Sequence, residues 1–326
     1  FFFMHKTAYE IRLSLVGSEM CIRDRSGDVD FLVATDAIGM GINMDLEHVY
    51  FSNLKKFDGK KLRRLNLSEI GQIAGRAGRY LNDGSFGITG DAGKINPEEI
   101  DLILVATSTP DVPVVSTAAL VQDKIGAKNA WGYDIVAACT GFVYAMETGA
   151  KLVESGKYKN VIVIGADTMS SIIDYTDRNT CVIFGDGGGG VLLEPSDNDC
   201  GILDSILLAD GSGHKYLTVP AGGSLRPATK ETIDKKMHYV FQDGKAVFKF
   251  AVKNMADVSR EILDKNNIKG KDLKLFIPHQ ANKRIIDAAA KRCGLTENQV
   301  LVNINKYGNT NAGTIPIALD LSLIHI

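Results

Sequence analysis

Beyond residue 97, short apolar runs alternate with segments whose apolar positions recur at helical spacing. The runs at 100–106, 133–137, 160–166, 202–209, 273–277 and 300–304 read as strands, and 160–166 (NVIVIGA) is unbroken enough for a strand covered on both faces. Helical spacing predicts helices over 117–126, from 141 to about 156, over 244–266, 283–293 and 312–319. In the 244–266 helix the inward set is Val247, Phe248, Phe250, Ala251, Met255 and Ile262. Asn96 reads as an N-cap, and Pro97 sits at the first helical position ahead of the first strand. Strands alternating with helices place this region in the α/β class.

The 326 residues are enough for one large or two ordinary domains, and 45% apolar content supports a sizeable core. A formal net charge of -2 gives no general attraction to nucleic acid or to an anionic membrane. The five cysteines form no CxxC pair and no metal-spaced cluster with histidine, so a reducing compartment without structural zinc or disulfides is expected. No apolar run approaches the length that crosses a bilayer.

Three strand ends carry the candidate chemistry, and in α/β proteins sites are built just past strand ends. Cys139 falls where the 133–137 strand turns into a helix. Small neighbours Ala137, Ala138 and Gly141 leave room at the sulfur, and a helix N-terminus favours thiolate. Taken alone, Cys139 reads equally well as a packed core cysteine. The 273–277 strand delivers Pro278-His279-Gln280-Ala281-Asn282 to a helix start, and the 300–304 strand delivers Lys306-Tyr307-Gly308-Asn309-Thr310 to another. The glycine tract Gly185 to Gly190 reads as backbone packed at a sheet centre in preference to a phosphate cradle. His214 and His238 read as surface residues, and Cys181, Cys200 and Cys293 as packing residues.

VAACTGF, IPHQAN and KYGNTNAG, in that order, together with DYTDRNT and VIFGDGGGGVLLEP, resemble the β-ketoacyl-[acyl-carrier-protein] synthase III family over about 94–320. The resemblance implies the five-layered thiolase fold and catalytic Cys139, His279 and Asn309. It also implies a CoA channel lined by Asn282, Gly244, Phe248 and Arg178, with Lys249 and Arg284 facing acyl carrier protein. The activity implied is condensation of an acyl-CoA of the acetyl-CoA class with malonyl-carrier protein. The protein would act as a homodimer in bacterial cytoplasm, without metal or resident cofactor. Neither the family's opening quarter nor its closing glycine-rich hairpin, which gives the oxyanion site a backbone donor, is matched.

Residues 26–90 differ in character from residues 94–320, and the pattern changes near 91–93 without a linker. The stretches DAIGMGIN and QIAGRAGR resemble motifs in the second RecA-like lobe of superfamily 2 RNA helicases, in which Arg76 and Arg79 would reach ATP phosphates held by the other lobe. That other lobe has no counterpart here: there is no GxxxxGK[ST] loop and no acidic magnesium box, so an ATPase is not expected. The basic run from Lys55 to Arg64 reads as a solvated loop. Residues 1–25 lack periodicity and resemble translated adaptor sequence, as do 321–326. An accidental joining of two gene fragments is the reading for the whole. The competing functional reading is a nucleic-acid-binding helicase piece with an inactive synthase passenger.

Overall fold

The computed structural model describes residues 97–196 and 201–324, together with four short strands between residues 48 and 88. The chain divides into two compact units, one of residues 1–96 with 320–326 and the other of residues 97–319. In the first unit, His48–Phe51 (β1) pairs in parallel with Ser85–Ile88 (β4). Lys55–Phe57 (β2) pairs antiparallel with Leu62–Arg64 (β3). Two stretches of the basic run expected as a loop, Lys55–Phe57 and Leu62–Arg64, are therefore paired strands. The leader expected at 1–25, the strand at 30–35, Arg76, Arg79, Asn96 and Cys200 lie outside the described residues.

The second unit is built on a four-stranded sheet: Leu102–Ala106 (β5), Trp131–Ile135 (β6), Val161–Asp167 (β7) and Gly187–Leu193 (β8), in spatial order β6-β5-β7-β8. The first three strands run parallel and β8 is antiparallel to β7. Every β5 residue is buried, because both faces of that strand are covered. On one face Leu102, Leu104 and Ala106 pack with Val161, Val163, Phe142, Ala145 and Ala312. On the other, Ile103 and Val105 pack with Ala118 and Ala127. Burying one such leucine or isoleucine side chain is worth about 1.5–3 kcal/mol, so β5 anchors the unit. The doubly covered strand is thus β5, whereas β7 buries Val161 and Val163 on the face packed by Phe142 and leaves Ile162 and Ile164 half-buried on the other.

Helix Thr117–Ile125 (α1) begins under two caps: the Ser116 hydroxyl accepts from the Ala119 amide, and the Asp134 carboxylate accepts from Thr117 and Ala118 at 2.7 and 2.9 Å. Gly141–Glu154 (α2) follows the Cys139 turn and buries Phe142, Ala145 and Gly149 against the sheet. The short helix Lys230–Asp234 (α3) starts with a capping box between Thr229 and Thr232. Gly244–Lys265 (α4) packs along Lys283–Cys293 (α5). Phe250, expected inward on α4, is 51% exposed, and Ala256 and Leu263 are the buried positions.

The glycine tract forms β8 itself. It lies at the outer position of the sheet, not the centre, and packing still explains it: a Cβ on Gly187 would lie 2.8 Å from Thr310 Cγ2, and one on Gly189 would lie 3.1 Å from Pro316 Cβ. Residues 202–209 form no strand, and Leu203 and Leu208 are exposed. Of the strands expected at 273–277 and 300–304, only one parallel bridge, Phe276 to Val300, is present. Side-chain amides take carbonyls that a longer ladder would use: Gln280 Nε2 donates to Leu301 at 3.1 Å, and Gln299 Nε2 donates to Leu273 at 2.5 Å. The second segment then turns into the short helix Ile304–Tyr307 (α6), and the last helix, Thr314–Ile324 (α7), runs past the expected end at 319.

Candidate active site

Cys139 lies on a single 3-10 turn, Ala138–Thr140, between β6 and α2. Ala138 has φ 46, a left-handed conformation that costs a non-glycine residue about 1–3 kcal/mol and persists only where packing enforces it. The enforcement is visible close by: a Cβ on Gly141 would stand 3.0 Å from Ala106 Cβ and 3.8 Å from Ala312 Cβ. The turn is held between the end of β5 and the segment following Asn309.

Asn309 is 4% exposed and fixed by its backbone, which donates to Ile183 O at 2.9 Å and accepts from Gly185 N at 3.1 Å. Its Oδ1 accepts from Asn311 N at 2.9 Å, which turns the amide nitrogen outward, and the Asn309 side chain hydrogen-bonds the Cys139 sulfur. Two of the three expected catalytic residues are therefore in direct contact. His279 reaches the same loop: its Nδ1 lies 2.6 Å from Thr314 Oγ1, while Nε2 is buried without a hydrogen-bond partner. Gln280, 1% exposed, has all its polar atoms occupied. Its Nε2 donates to Pro278 and Leu301, and its Oε1 accepts from Asn303 and Ile304 at 3.0 and 3.2 Å, so the His279 and Asn309 segments are clamped together.

Below these residues lies Asp167, at the end of β7 and 4% exposed. Its Oδ1 accepts from Ser108 N at 2.7 Å, Thr109 Oγ1 at 3.2 Å and Thr107 Oγ1 at 3.3 Å. Its Oδ2 accepts from Asn311 Nδ2 at 2.9 Å and Ala312 N at 3.1 Å. Burial raises the Asp167 pKa, and the donors from Ser108, Ala312, Thr109 and Asn311 oppose that rise.

The Cys139 pKa is pushed up to about 11, first by burial and then by the Asp167 charge, against the lowering hydrogen bond from Asn309. This corrects the expectation of a resting thiolate: desolvation outweighs the helix N-terminus, and the group rests as a thiol. Burial holds His279 down at about 4, so the imidazole rests neutral. A thiol that rests protonated must give up its proton at the moment of attack, and a neutral imidazole is a group able to accept one.

The expected channel residues fall into two sets. Gly244 opens α4, with half-buried Phe248 and exposed Lys249 in its first turns. Asn282 caps α5 by accepting from Arg284 N at 2.9 Å. The Arg284 guanidinium stacks on the Phe248 ring at 4.6 Å, which brings the two helix starts together. Arg178 is exposed on a separate turn whose Asp174 pairs with Lys236 at 2.7 Å. His214 is exposed as expected, but His238 is half-buried, with its ring 4.1 Å from that of Tyr239 and its Nδ1 enclosed without a partner. Sequence reasoning missed Asp167, Gln280, Asn311 and Thr314. Asp167 was discoverable, since an aspartate closing an apolar strand stands where α/β sites are built. Asn311 and Thr314 gave only the weak signal of polar residues entering an apolar helix.

Comparisons with known proteins identify relatives of this chain. The model for 3-oxoacyl-[acyl-carrier-protein] synthase III matches residues 133–211, its C-terminal counterpart matches 263–324, and the helicase conserved C-terminal domain model matches 16–81. The β-ketoacyl-[acyl-carrier-protein] synthase III of Chlorobium phaeobacteroides is 57% identical over 231 residues, covering 70% of this chain and 70% of the relative. That of Chlorobium chlorochromatii is 58% identical over 223 residues, covering 68% of each. The crystal structure of 3-oxoacyl-[acyl-carrier-protein] synthase III from Aquifex aeolicus superposes with a TM-score of 0.64 at 39% identity, covering 82% of this chain and 80% of that one. The α/β unit built on β5 is thus a thiolase-fold unit. By sequence identity and by fold, the chain belongs to the β-ketoacyl-[acyl-carrier-protein] synthase III family.

Proposed function

We propose that this chain joins an acyl-CoA primer to malonyl-carrier protein through an acyl-cysteine at Cys139. The observation that carries the reading is the contact between the Asn309 amide and the Cys139 sulfur, on a strained turn opening α2. In the first half, the sulfur attacks the primer thioester and CoA leaves. In the second half, loss of CO₂ from the malonyl group generates an enolate, and the resulting carbon nucleophile attacks the acyl-cysteine. The Asn309 amide and His279, once Nε2 carries a proton, are the donors suited to the developing oxyanion. No metal or redox group is needed, because decarboxylation itself makes the nucleophile.

Gly244, Phe248 and Asn282 at the joined starts of α4 and α5 fit the lining of a CoA channel, and exposed Lys249 and Arg284 fit an acidic carrier protein. A homodimer is supported by β6, which lies at an edge of the described sheet with Trp131 45% exposed. The cytoplasmic setting follows from these substrates. The test is formation of β-ketoacyl-carrier protein from acetyl-CoA and malonyl-carrier protein. The reading requires product from the wild-type chain that is lost in Cys139→Ala, and equal product from both would refute it. The helicase model's match over 16–81 favours a second reading, nucleic-acid binding, which would weaken steeply with salt.

A further inference from the structure

The Thr314 hydroxyl touches two partners at once. It lies 2.6 Å from His279 Nδ1 and is directed at the Asn311 carbonyl oxygen at 3.1 Å. A hydroxyl has one proton and a carbonyl can only accept. If that proton points to Asn311 O, the short contact to Nδ1 is a hydrogen bond only when Nδ1 carries the ring proton. The other tautomer would turn the hydroxyl proton toward Nδ1, and two oxygens would then face each other at 3.1 Å without a hydrogen between them. One arrangement satisfies two hydrogen bonds, and the other satisfies one and adds a repulsion.

The acceptor that orients the hydroxyl is itself immobilised. Asn311 sits at φ 51, donates through Nδ2 to Asp167 at 2.9 Å, and donates its backbone N–H to Asn309 Oδ1 at 2.9 Å. The segment therefore has little freedom to turn its carbonyl away. Thr314 is 2% exposed, so water does not compete for its hydroxyl, and His279 Nε2 is buried with no partner of its own. Nothing among the described residues supports a proton on Nε2, and the Thr314 contact supports one on Nδ1.

We infer that Thr314 is a positioning residue that fixes His279 as its Nδ1–H tautomer, leaving the Nε2 lone pair free to accept a proton in the acyl-transfer half-reaction. The inference rests on the catalytic role proposed above for His279. The step balances. As the Cys139 sulfur forms its bond to the thioester carbon, the thiol proton passes to Nε2. The carbon–sulfur bond to CoA then breaks, the Nε2 proton goes to the departing CoA sulfur, and the imidazole returns to its Nδ1–H form. In the second half-reaction His279 must donate through Nε2, so the tautomer set by Thr314 suits the first half and has to be changed by protonation for the second.

The test is nitrogen NMR of the histidine rings in the full-length chain at neutral pH, with His279 assigned by comparison with His279→Ala, alongside the rate of acetyl transfer from acetyl-CoA. Wild type should show His279 with Nδ1 protonated and Nε2 bare. Thr314→Ser, which keeps the hydroxyl, should retain that pattern and acetylate within about twofold of wild type. Thr314→Val, which keeps the shape, should move His279 toward the Nε2–H form and slow acetylation by about tenfold, the factor one net hydrogen bond is worth. An Nε2–H signal in wild type overturns the inference without any variant, including where Thr314→Val fails to fold. An unchanged tautomer in folded Thr314→Val overturns it as well, as does unchanged acetylation. Undiminished acetylation by His279→Ala would instead overturn the catalytic role of His279, whatever the tautomer.

Discussion

Asn311 donates through Nδ2 to Asp167 Oδ2 at 2.9 Å, joining positions 144 residues apart. The contact ties the loop that carries Asn309 to the end of β7, beneath Cys139. It is one of five donors converging on a buried carboxylate. Asp167→Asn would place an amide NH₂ against some of those donors, and we expect it to lower stability by about 1–3 kcal/mol in urea unfolding. Because the Asp167 charge also raises the Cys139 pKa, the same variant should shift the pH midpoint of Cys139 alkylation downward. A midpoint that does not fall would show that the charge is not felt at the sulfur.

The two neutral resting groups predict opposite pH behaviour. With the Cys139 pKa at about 11 against 9.0 for a free thiol, alkylation by iodoacetamide should keep accelerating beyond pH 9, and a plateau by pH 8 would contradict the burial argument. Folding favours the protonated thiol, so its stabilisation holds below pH 9 and is lost as pH rises toward 11. His279 is depressed from 6.5 to about 4, so the unfolded chain binds its proton first and stability falls as pH drops through that window. An NMR titration should find the His279 ring neutral down to about pH 4.

Gly165 tests how closely the loop must approach the sheet. A Cβ there would run into the Ala312 carbonyl oxygen and stand 3.0 Å from Phe142 Cδ2. Gly165→Ala should cost roughly 1–3 kcal/mol or more, as overpacking does, and reduce acyl transfer by displacing the loop that follows Asn309. Gly211→Ala, where nothing lies within 4 Å, is the matched control and should leave both unchanged.

Arg284 and Lys249 are expected to act on carrier-protein binding and not on the acetyl-CoA half-reaction. Arg284→Ala and Lys249→Ala should each raise the KM for malonyl-carrier protein, with the difference from wild type shrinking at high salt. Loss of the Arg284 stacking on Phe248 should cost only about 0.5–1 kcal/mol of stability. Unchanged KM values in both variants would remove these cations from the docking surface.

The α/β class, the Cys139 turn and helix Lys283–Cys293 are legible in the sequence because each has a strong local signature: an apolar run, a small-residue hinge, or clean 3.6 periodicity closed by Gly294. The strands expected at 273–277 and 300–304 are not realised as a ladder, because the Gln280 and Gln299 side-chain amides take backbone partners in their place, and a glutamine announces no such intention in sequence. Val136 has the branched side chain of a strand residue, yet it is 77% exposed just after β6 ends at Ile135. The position of Cys139 at a strand-to-helix turn is readable, but its protonation state is not. That depends on Asp167, which is adjacent only after β7 and the Asn309 loop have met.

The most direct test of the central claim is intact mass after incubation with acetyl-CoA, comparing the full chain with Cys139→Ala. The account predicts a gain of about 42 Da, one acetyl group, in wild type and none in the variant, as covalent catalysis at a single cysteine requires. A folded wild-type chain that gains nothing, or a variant that gains the same mass, would contradict it.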